Sequence, residues 1–483
     1  MPEPVRFARV RTVLPLLVLI GILVSLLVNC AHTLTNTDTY FHLRFGEEFA
    51  NGTWSLSHPG SVSTFATRSW VPTQWLSEIV MARTEQWVGL PGLAWLSGLL
   101  QVLLFLAFYR SARDRADPLV AMPLTALALF ATQSGLSMRP QVVSYLLVSV
   151  TAAAWLRTRH DARVRWWLVP VTWLWAMLHG MWPVGLVIGV VAVAGLALDG
   201  APRRLVLRGA VVPVASAVAA ALTPVGPAVY GAVAAVGSRS SFFAEWDPPD
   251  WTTPPCLALA ALFGLAAVAM WRRGRSSWTE IALVLLAGAL AVWSARTVPV
   301  AAALLLPVAA GPVQGLLGRR TPVTRRETAA VLGGAVLTLV ALAVAVPHTS
   351  SHPPAQPSWV DPALSHLPAG TKVLDDWGQG GYLMWRFPRL DLMMHGYGDT
   401  FTTDELNRNL ALIQLDPGWD SALRATGARV AVLRPNARLT YALVSQEHWR
   451  VVHDSPDLVM LRAPLSWASL GSPVAAPGGD SGG

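Results

Sequence analysis

Long apolar runs constrain this chain more than any other feature of its sequence. Of its 483 residues, 53% are hydrophobic and only 13% are charged, whereas soluble domains carry about 25% charged residues. About 20 apolar residues in a helix cross the hydrocarbon core of a bilayer, and such runs are helical because lipid offers backbone groups no partner. The runs that predict membrane-spanning helices lie at 12–31, 90–109, 118–136, 140–156, 164–178, 183–199, 206–224, 255–271, 278–294, 297–317 and 328–346.

The first run follows three arginines, as the apolar part of a signal peptide does. No small-residue cleavage site follows it, and a polar stretch begins at His32. We therefore interpret 12–31 as a retained helix. The sequence predicts an α-helical polytopic membrane protein with about eleven transmembrane helices.

The connections between the runs alternate between arginine-rich and arginine-poor. Cytoplasmic loops carry the excess of positive residues. The alternation holds at every loop if the N-terminus is cytoplasmic and if 164–178 and 183–199 are separate spans. It predicts a multi-pass protein of the plasma membrane whose C-terminal domain is extracytoplasmic.

Composition divides the chain into four parts. Residues 1–346 form the membrane domain with a large extracytoplasmic loop at 32–89, and a Pro-, Ser- and His-rich linker follows at 347–357. Residues 358–466 predict a small α/β domain, and the Gly-rich tail 467–483 is expected to be disordered. Strands are predicted near 372–374, 390–394, 429–433, 450–452 and 458–461, and helices at 403–415, 418–426 and 437–446.

Several function classes are disfavoured. The net charge of +8 comes from arginines spread between apolar runs, not clustered on a soluble face, which excludes a nucleic-acid partner. No ionisable side chain lies in the middle of a predicted span, which counts against an ion-coupled transporter. The only cysteines, Cys30 and Cys256, are compatible with a bridge or with two isolated packing residues.

Polar residues gather instead at the outer ends of the spans, above all in the first loop. The aromatic spacing of residues 38–50 predicts an amphipathic helix that lies on the bilayer surface. Asp38 begins this helix, and two roles for it remain open. It is either an N-cap that accepts bonds from backbone N–H groups or a catalytic carboxylate.

The first loop resembles that of bacterial GT-C superfamily membrane glycosyltransferases. The matching residues are Asp38, Tyr40-Phe41-His42-Leu43, Gly46, and Trp70 with Trp75-Leu76-Ser77-Glu78. Further matches are Arg139-Pro140-Gln141, Trp175 with His179-Gly180, Glu245-Trp246, Arg296, and the segment 377–383. One position departs from the pattern, because Asn36 stands where related members carry an Asp, which weakens a two-carboxylate or metal-binding interpretation.

The resemblance implies transfer of a sugar from a polyprenyl-phosphate donor, with inversion, to a glycan, lipid or protein acceptor of the cell envelope. It makes Asp38 the general base and assigns the donor phosphate to Arg139, Arg296 and His179. Sugar or acceptor contacts fall to His42, Trp70, Trp75, Glu78, Glu245 and Trp246. No metal ligand is assigned, although a divalent cation is left open. Taken alone, such arginines also reach lipid headgroups, and such tryptophans are common at membrane interfaces.

Two other functions remain as alternatives. A non-catalytic GT-C relative would bind a lipid-linked glycan or a cell-wall partner, and the Asn36 replacement fits that function. A lipid or solute transporter is the second alternative.

Overall fold

The computed structural model describes residues 5–63, 65–66, 70–274, 276–318 and 320–469. The chain forms two compact units. The first contains the residues up to 57 together with 71–354, and the second combines 58–70 with the chain from 355 onward.

The first unit is helical. Its helices are α1 Val5–Cys30, α2 Asp38–Ala50, α3 Trp75–Arg113, α4 Pro118–Ala131, α5 Gln141–Asp161, α6 Leu168–Leu178, α7 Pro183–Leu198, α8 Arg203–Ala221, α9 Ala228–Ser238, α10 Pro254–Arg273, α11 Trp278–Trp293, α12 Val298–Gly315 and α13 Arg325–Thr349. Within the described residues, six segments are long and apolar enough to span a membrane: Val10–Cys30, Trp75–Arg113, Arg203–Ala221, Pro254–Arg273, Ala295–Gly315 and Arg325–Thr349. Each of the eleven predicted spans coincides with a helix, and the polytopic fold is confirmed.

The core of this unit surrounds α12. Nearly all of its side chains are buried, from Val298 to Gln314, and it packs against α3, α4, α5, α10 and α11. Cys30 and Cys256 are both buried and free, so of the two alternatives the structure shows isolated packing residues.

Three helices of the first unit differ from the sequence-based expectation. Helix α2 has the predicted bounds, but its apolar face packs on α3, so protein side chains and not the bilayer cover that face. The predicted span at 90–109 is part of the longer α3, which is kinked at Gly89, where φ is 75°, shortly before Pro91. The amphipathic part before this kink carries the α2 contact. Helix α9 was not predicted.

The second unit contains a five-stranded mixed sheet in the order β2-β1-β3-β5-β4. Strand β1 is parallel to β2 and β3, whereas β5 is antiparallel to β3 and β4. The strands are β1 Lys372–Asp375, β2 Asp391–Leu392, β3 Val430–Leu433, β4 Arg450–Asp454 and β5 Val459–Arg462, and the helices are α14 Val360–Ser365, α15 Trp377–Arg386, α16 Thr403–Gln414, α17 Trp419–Thr426 and α18 Arg438–Ser445.

Helix α15 was not predicted, because it contains three glycines, which disfavour helices. Gly380 has a packing reason, since a Cβ there would lie 1.9 Å from the carbonyl oxygen of Met394.

The domain boundaries differ from those expected. Residues 58–70 belong to the second unit, where Ser63 pairs with Leu392 and Trp70 packs edge-on against Tyr397. The linker begins later than residue 347 because α13 continues to Thr349. Residues 465–469 of the chain form a short 3-10 helix, and its Trp467 is buried against Trp449. The rest of the predicted tail, 470–483, lies outside the described residues.

The contact between α2 and α3 generates a stability prediction. A Cβ at Gly46 would lie 2.0 Å from the backbone oxygen of Glu78, so Gly46→Ala should force the helices apart and cost about 1–3 kcal/mol. The Tm of the purified protein in detergent measures this loss. Gly264→Ala is the matched control, since a Cβ there meets nothing within 4 Å. Equal Tm values for the two variants would contradict the close packing.

Candidate functional site

Four charged side chains from four separate segments meet in the first unit. Nη1 of Arg139 donates to Oδ2 of Asp38 at 2.7 Å and to Oε1 of Glu245 at 2.5 Å. Nη1 of Arg296 donates to the other oxygen of the same carboxylate, Oε2 of Glu245, at 2.6 Å. Residues that lie up to 258 positions apart, from Asp38 to Arg296, therefore form one ionic chain.

The start of α2 explains how Asp38 is free to join this chain. Oδ1 of Asn36 accepts the backbone N–H of Asp38 at 2.9 Å, and the N-cap residue Thr37 makes no side-chain capping bond. The capping interpretation of Asp38 is therefore wrong, because its carboxylate points to Arg139. The departure at Asn36 also has a structural role, since this side chain supplies the acceptor at the helix start.

The segment that carries Arg139 is tied to α2 as well. Oγ1 of Thr39 donates to the backbone oxygen of Met138 at 2.9 Å, and the Thr39 side chain is fully buried. Asp38 precedes Thr39 and Arg139 follows Met138, so this bond places Arg139 opposite Asp38. The hydrogen bond between Thr39 and Met138 thus fixes the geometry of the ion pair between Asp38 and Arg139.

The site is partly open to solvent. The side-chain exposures are 28% for Asp38, 13% for Arg139 and 37% for Glu245. Burial raises the pKa of Asp38 above its ordinary value, and Arg139 opposes this effect while Glu245 adds to it. Burial also acts upward on Glu245, but Arg296 and Arg139 outweigh it, so the pKa of Glu245 is lowered. The pKa values of the two carboxylates are therefore shifted in opposite directions, upward for Asp38 and downward for Glu245.

Two buried histidines lie beside the arginines. Nδ1 of His42 lies 2.9 Å from Oε1 of Glu78, whose side chain is fully buried at the start of α3. A carboxylate accepts, so His42 uses Nδ1 as its donor nitrogen. Burial lowers the pKa of His42 well below its ordinary value, and Arg139, His179 and Arg296 lower it further.

His179 has the opposite arrangement. Oγ of Ser144 lies 2.8 Å from its Nδ1 and itself accepts Nε1–H of Trp175 at 2.8 Å, while the backbone N–H of Met181 also faces Nδ1 at 3.4 Å. Nδ1 is thus the acceptor, and the hydrogen sits on Nε2. Burial, Arg296 and Arg139 lower the pKa of His179, so the ring is neutral. Within the described chain, Nε2 has no hydrogen-bond partner.

The three predicted tryptophans have different places. Trp246 lies under the guanidinium of Arg296, 5.4 Å from its carbon to the ring centroid. Trp75 opens α3 three residues before Glu78, and its buried Nε1 has no partner among the described residues. Trp70 requires a correction, since it belongs to the second unit, is 4% exposed and donates Nε1–H to the oxygen of Gly60. Its ring leaves no free face for a sugar.

The sequence did not single out Ser144, which orients His179. It lies inside a predicted span, and a serine there gives no signal of its own. The divalent cation that the sequence left open finds no further support, because Arg139 already joins Asp38 and Glu245. Among the described residues, no group of three or more His, Cys, Asp or Glu is placed to hold a metal.

No protein-family profile matches the chain, and no curated protein matches it significantly. Several solved structures do match the chain. ArnT from Cupriavidus metallidurans in the apo state aligns with a TM-score of 0.56 and 15% identity, over 93% of this chain and 98% of that one. ArnT bound to undecaprenyl phosphate gives 0.54 and 16%, over 94% and 98%. The apo oligosaccharyltransferase of Archaeoglobus fulgidus gives 0.54 and 13%, over 85% and 69%.

At these identities the likeness is one of fold. Both neighbours are membrane glycosyltransferases of the GT-C superfamily, and the alignments with ArnT span nearly the whole of both chains. The fold expected from the loop motifs is thereby confirmed: this chain is a polytopic membrane protein that shares the fold of the ArnT and oligosaccharyltransferase structures.

Proposed function

We propose that this protein transfers a sugar from a polyprenyl-phosphate donor to an acceptor outside the cytoplasm, with inversion and with Asp38 as general base. The observation that carries the proposal is the ionic chain from Asp38 through Arg139 and Glu245 to Arg296. It places a carboxylate of raised pKa next to two guanidinium groups. These are the two elements that the reaction needs, a base for the acceptor and positive charge for the leaving phosphate.

The donor phosphate binds the two arginines in place of Glu245. The Glu245 carboxylate now bridges Arg139 and Arg296 with one oxygen each, and a phosphate presents oxygens to guanidinium groups in the same way. Its higher charge favours the exchange. His179 adds a neutral donor, since its Nε2–H is free to bond to a phosphate oxygen.

Asp38 takes the proton of the acceptor hydroxyl. The acceptor oxygen forms its bond to the anomeric carbon of the sugar as the bond from that carbon to the phosphate oxygen breaks. The hydroxyl proton passes to Asp38, and the polyprenyl phosphate leaves with its negative charge held by Arg139 and Arg296. Burial supports this role because it raises the pKa of Asp38 toward the range of a useful base.

Trp75, Glu245 and Trp246 provide the surfaces for the sugar and the acceptor, whereas the buried Glu78 acts through its bond to His42. Trp246 offers a ring beside Arg296, and the buried Nε1–H of Trp75 is a donor without a partner among the described residues. The neighbours give general support, since one ArnT structure contains undecaprenyl phosphate and one oligosaccharyltransferase structure contains a tethered acceptor peptide.

The orientation follows from the arginine distribution. We propose a cytoplasmic N-terminus in the plasma membrane, which places Asp38 at the outer surface. Reporter fusions after residues 115, 205 and 322 should then report cytoplasm, and fusions after 60, 240 and 400 should report the outside. A reversed signal at any one of these positions would refute this topology.

Asp38→Asn tests the general base. Because Asn36 supplies the acceptor at the start of α2, the substitution removes no cap, and Arg139 keeps Glu245 as a partner. Expression and Tm should therefore change little, while transfer from the native lipid donor falls by roughly 10²-fold or more. Full transfer by Asp38→Asn would refute the catalytic role of Asp38. The alternative function, a non-catalytic GT-C relative that binds a glycan, would then be favoured.

Arg139→Lys is the companion variant. It keeps the charge but loses the planar fork, and charge-assisted bonds contribute about 1.5–3 kcal/mol each. The KM for the donor should rise about tenfold or more. Arg83→Lys, at an arginine outside the site that bonds to Gln86, is the control and should leave KM unchanged.

The pH dependence of kcat/KM tests the coupling between the carboxylates. A base acts only when deprotonated, so the rate falls as pH drops through the pKa of Asp38. The negative charge of Glu245 raises that pKa, and Glu245→Gln should move the acidic limb to lower pH. Asp250→Asn alters an exposed carboxylate bonded to Thr252 and should leave the limb in place. A limb that moves upward in Glu245→Gln would contradict the assignment.

A further inference from the structure

A groove runs between α1 and α4 on the membrane unit. Its volume is about 330 Å³. A cavity of about 150 Å³ holds a six-carbon ring, so this groove accommodates roughly twelve carbon atoms of a lipid chain. Gly21 keeps one wall open, because a Cβ there would meet nothing within 4 Å. Most of the other lining side chains are apolar, among them Val18, Ile22, Leu26 and Phe130.

The polar side chains of the groove lie toward one end. Ser25 and Asn29 follow one another by one turn of α1, with Nδ2 of Asn29 3.4 Å from Oγ of Ser25, and Gln133 faces the groove just after α4. All are neutral, and among the described residues none that lines the groove is charged. A phosphate group requires cationic partners. Amide and hydroxyl groups instead pair with ester carbonyls and hydroxyls.

One short chain segment connects the groove to the ionic chain. Leu136 lines the groove, and Arg139 follows three residues later, which is at most about 11 Å of chain. The segment between them is fixed at both ends, since Nε2 of Gln101 donates to the oxygen of Leu136 at 3.1 Å and Thr39 holds Met138. The short segment 136–139 therefore connects the polar end of the groove to the residues that contact Asp38 and Thr39.

We propose that this groove binds the acyl chain of the acceptor, which is a lipid with a neutral headgroup carrying ester and hydroxyl groups. The inference rests on the proposed transferase function, because it is a headgroup hydroxyl that gives its proton to Asp38. The prenyl chain of the donor does not fit the polar end. It carries no polar atom other than its phosphate, which Arg139 and Arg296 take.

Photolabelling of the full-length protein tests the groove. A photoactivatable diacylglycerol is added to the protein in phosphatidylcholine nanodiscs, and labelled peptides of α1 and α4 are quantified. Gly21→Trp fills the groove and should lower saturable labelling at least fivefold. Gly264→Trp is the matched control, a glycine of another membrane helix whose Cβ also meets nothing within 4 Å. Asn29→Leu keeps the volume, removes the polar partner and should also lower labelling.

Two outcomes overturn the inference. Equal labelling of Gly21→Trp and Gly264→Trp shows only the lipid that surrounds any membrane helix. Competition of the label by polyprenyl phosphate shows that the donor chain fills the groove. Labelling does not require sugar transfer, so Asp38→Asn should be labelled as wild type. Full transfer by Asp38→Asn would refute the proposed function while leaving the labelling result to stand by itself.

Discussion

The Arg139 guanidinium is the constraint on which the site depends. Its side chain is 13% exposed, and a charge that far from water is stable only with partners that satisfy its bonds. Asp38 and Glu245 supply them from two distant segments. Loss of both partners would leave the guanidinium uncompensated, and an uncompensated buried charge costs about 3–5 kcal/mol. The fold must therefore bring the start of α2, the connection before α5 and the turn at Ala244–Trp246 to one point.

The same ionic chain has formal charges that cancel, two arginines against two carboxylates. Binding of a further anion gains little electrostatic free energy unless one of the two carboxylates leaves the arginines. Glu245 suits this role because it is the more exposed acid, with 37% of its side chain accessible, and it lies on a short 3-10 turn, not in a long helix. Asp38 begins a helix that is packed on α3 and tied to Met138. One acid is thus fixed in place, and the other can exchange with a phosphate.

Much of this fold could be predicted from the sequence, because burial in lipid is recorded locally in the length of an apolar run. The eleven spans, the bounds of α2 and all five strands of the sheet followed from such local patterns. The predictions failed where contacts between residues distant in sequence determine the structure. Helix α2 meets α3 through Gly46, α15 depends on Gly380 fitting against Met394, and Ser63 pairs with Leu392. The pairing of Asp38 with Arg139, 101 residues apart, has no local signal.

The two histidines show how neutral side chains complete a charged site. His42 donates through Nδ1 to Glu78, which leaves Nε2 as an acceptor, whereas His179 accepts at Nδ1 from Ser144 and Met181, which leaves Nε2 as a donor. Arg139 and Arg296 depress the pKa of both rings, so neither adds a positive charge beside them. A donor sugar phosphate and an acceptor hydroxyl need groups of opposite hydrogen-bonding character. Glu78 makes His42 an acceptor at Nε2, and Ser144 makes His179 a donor at Nε2, before any substrate binds.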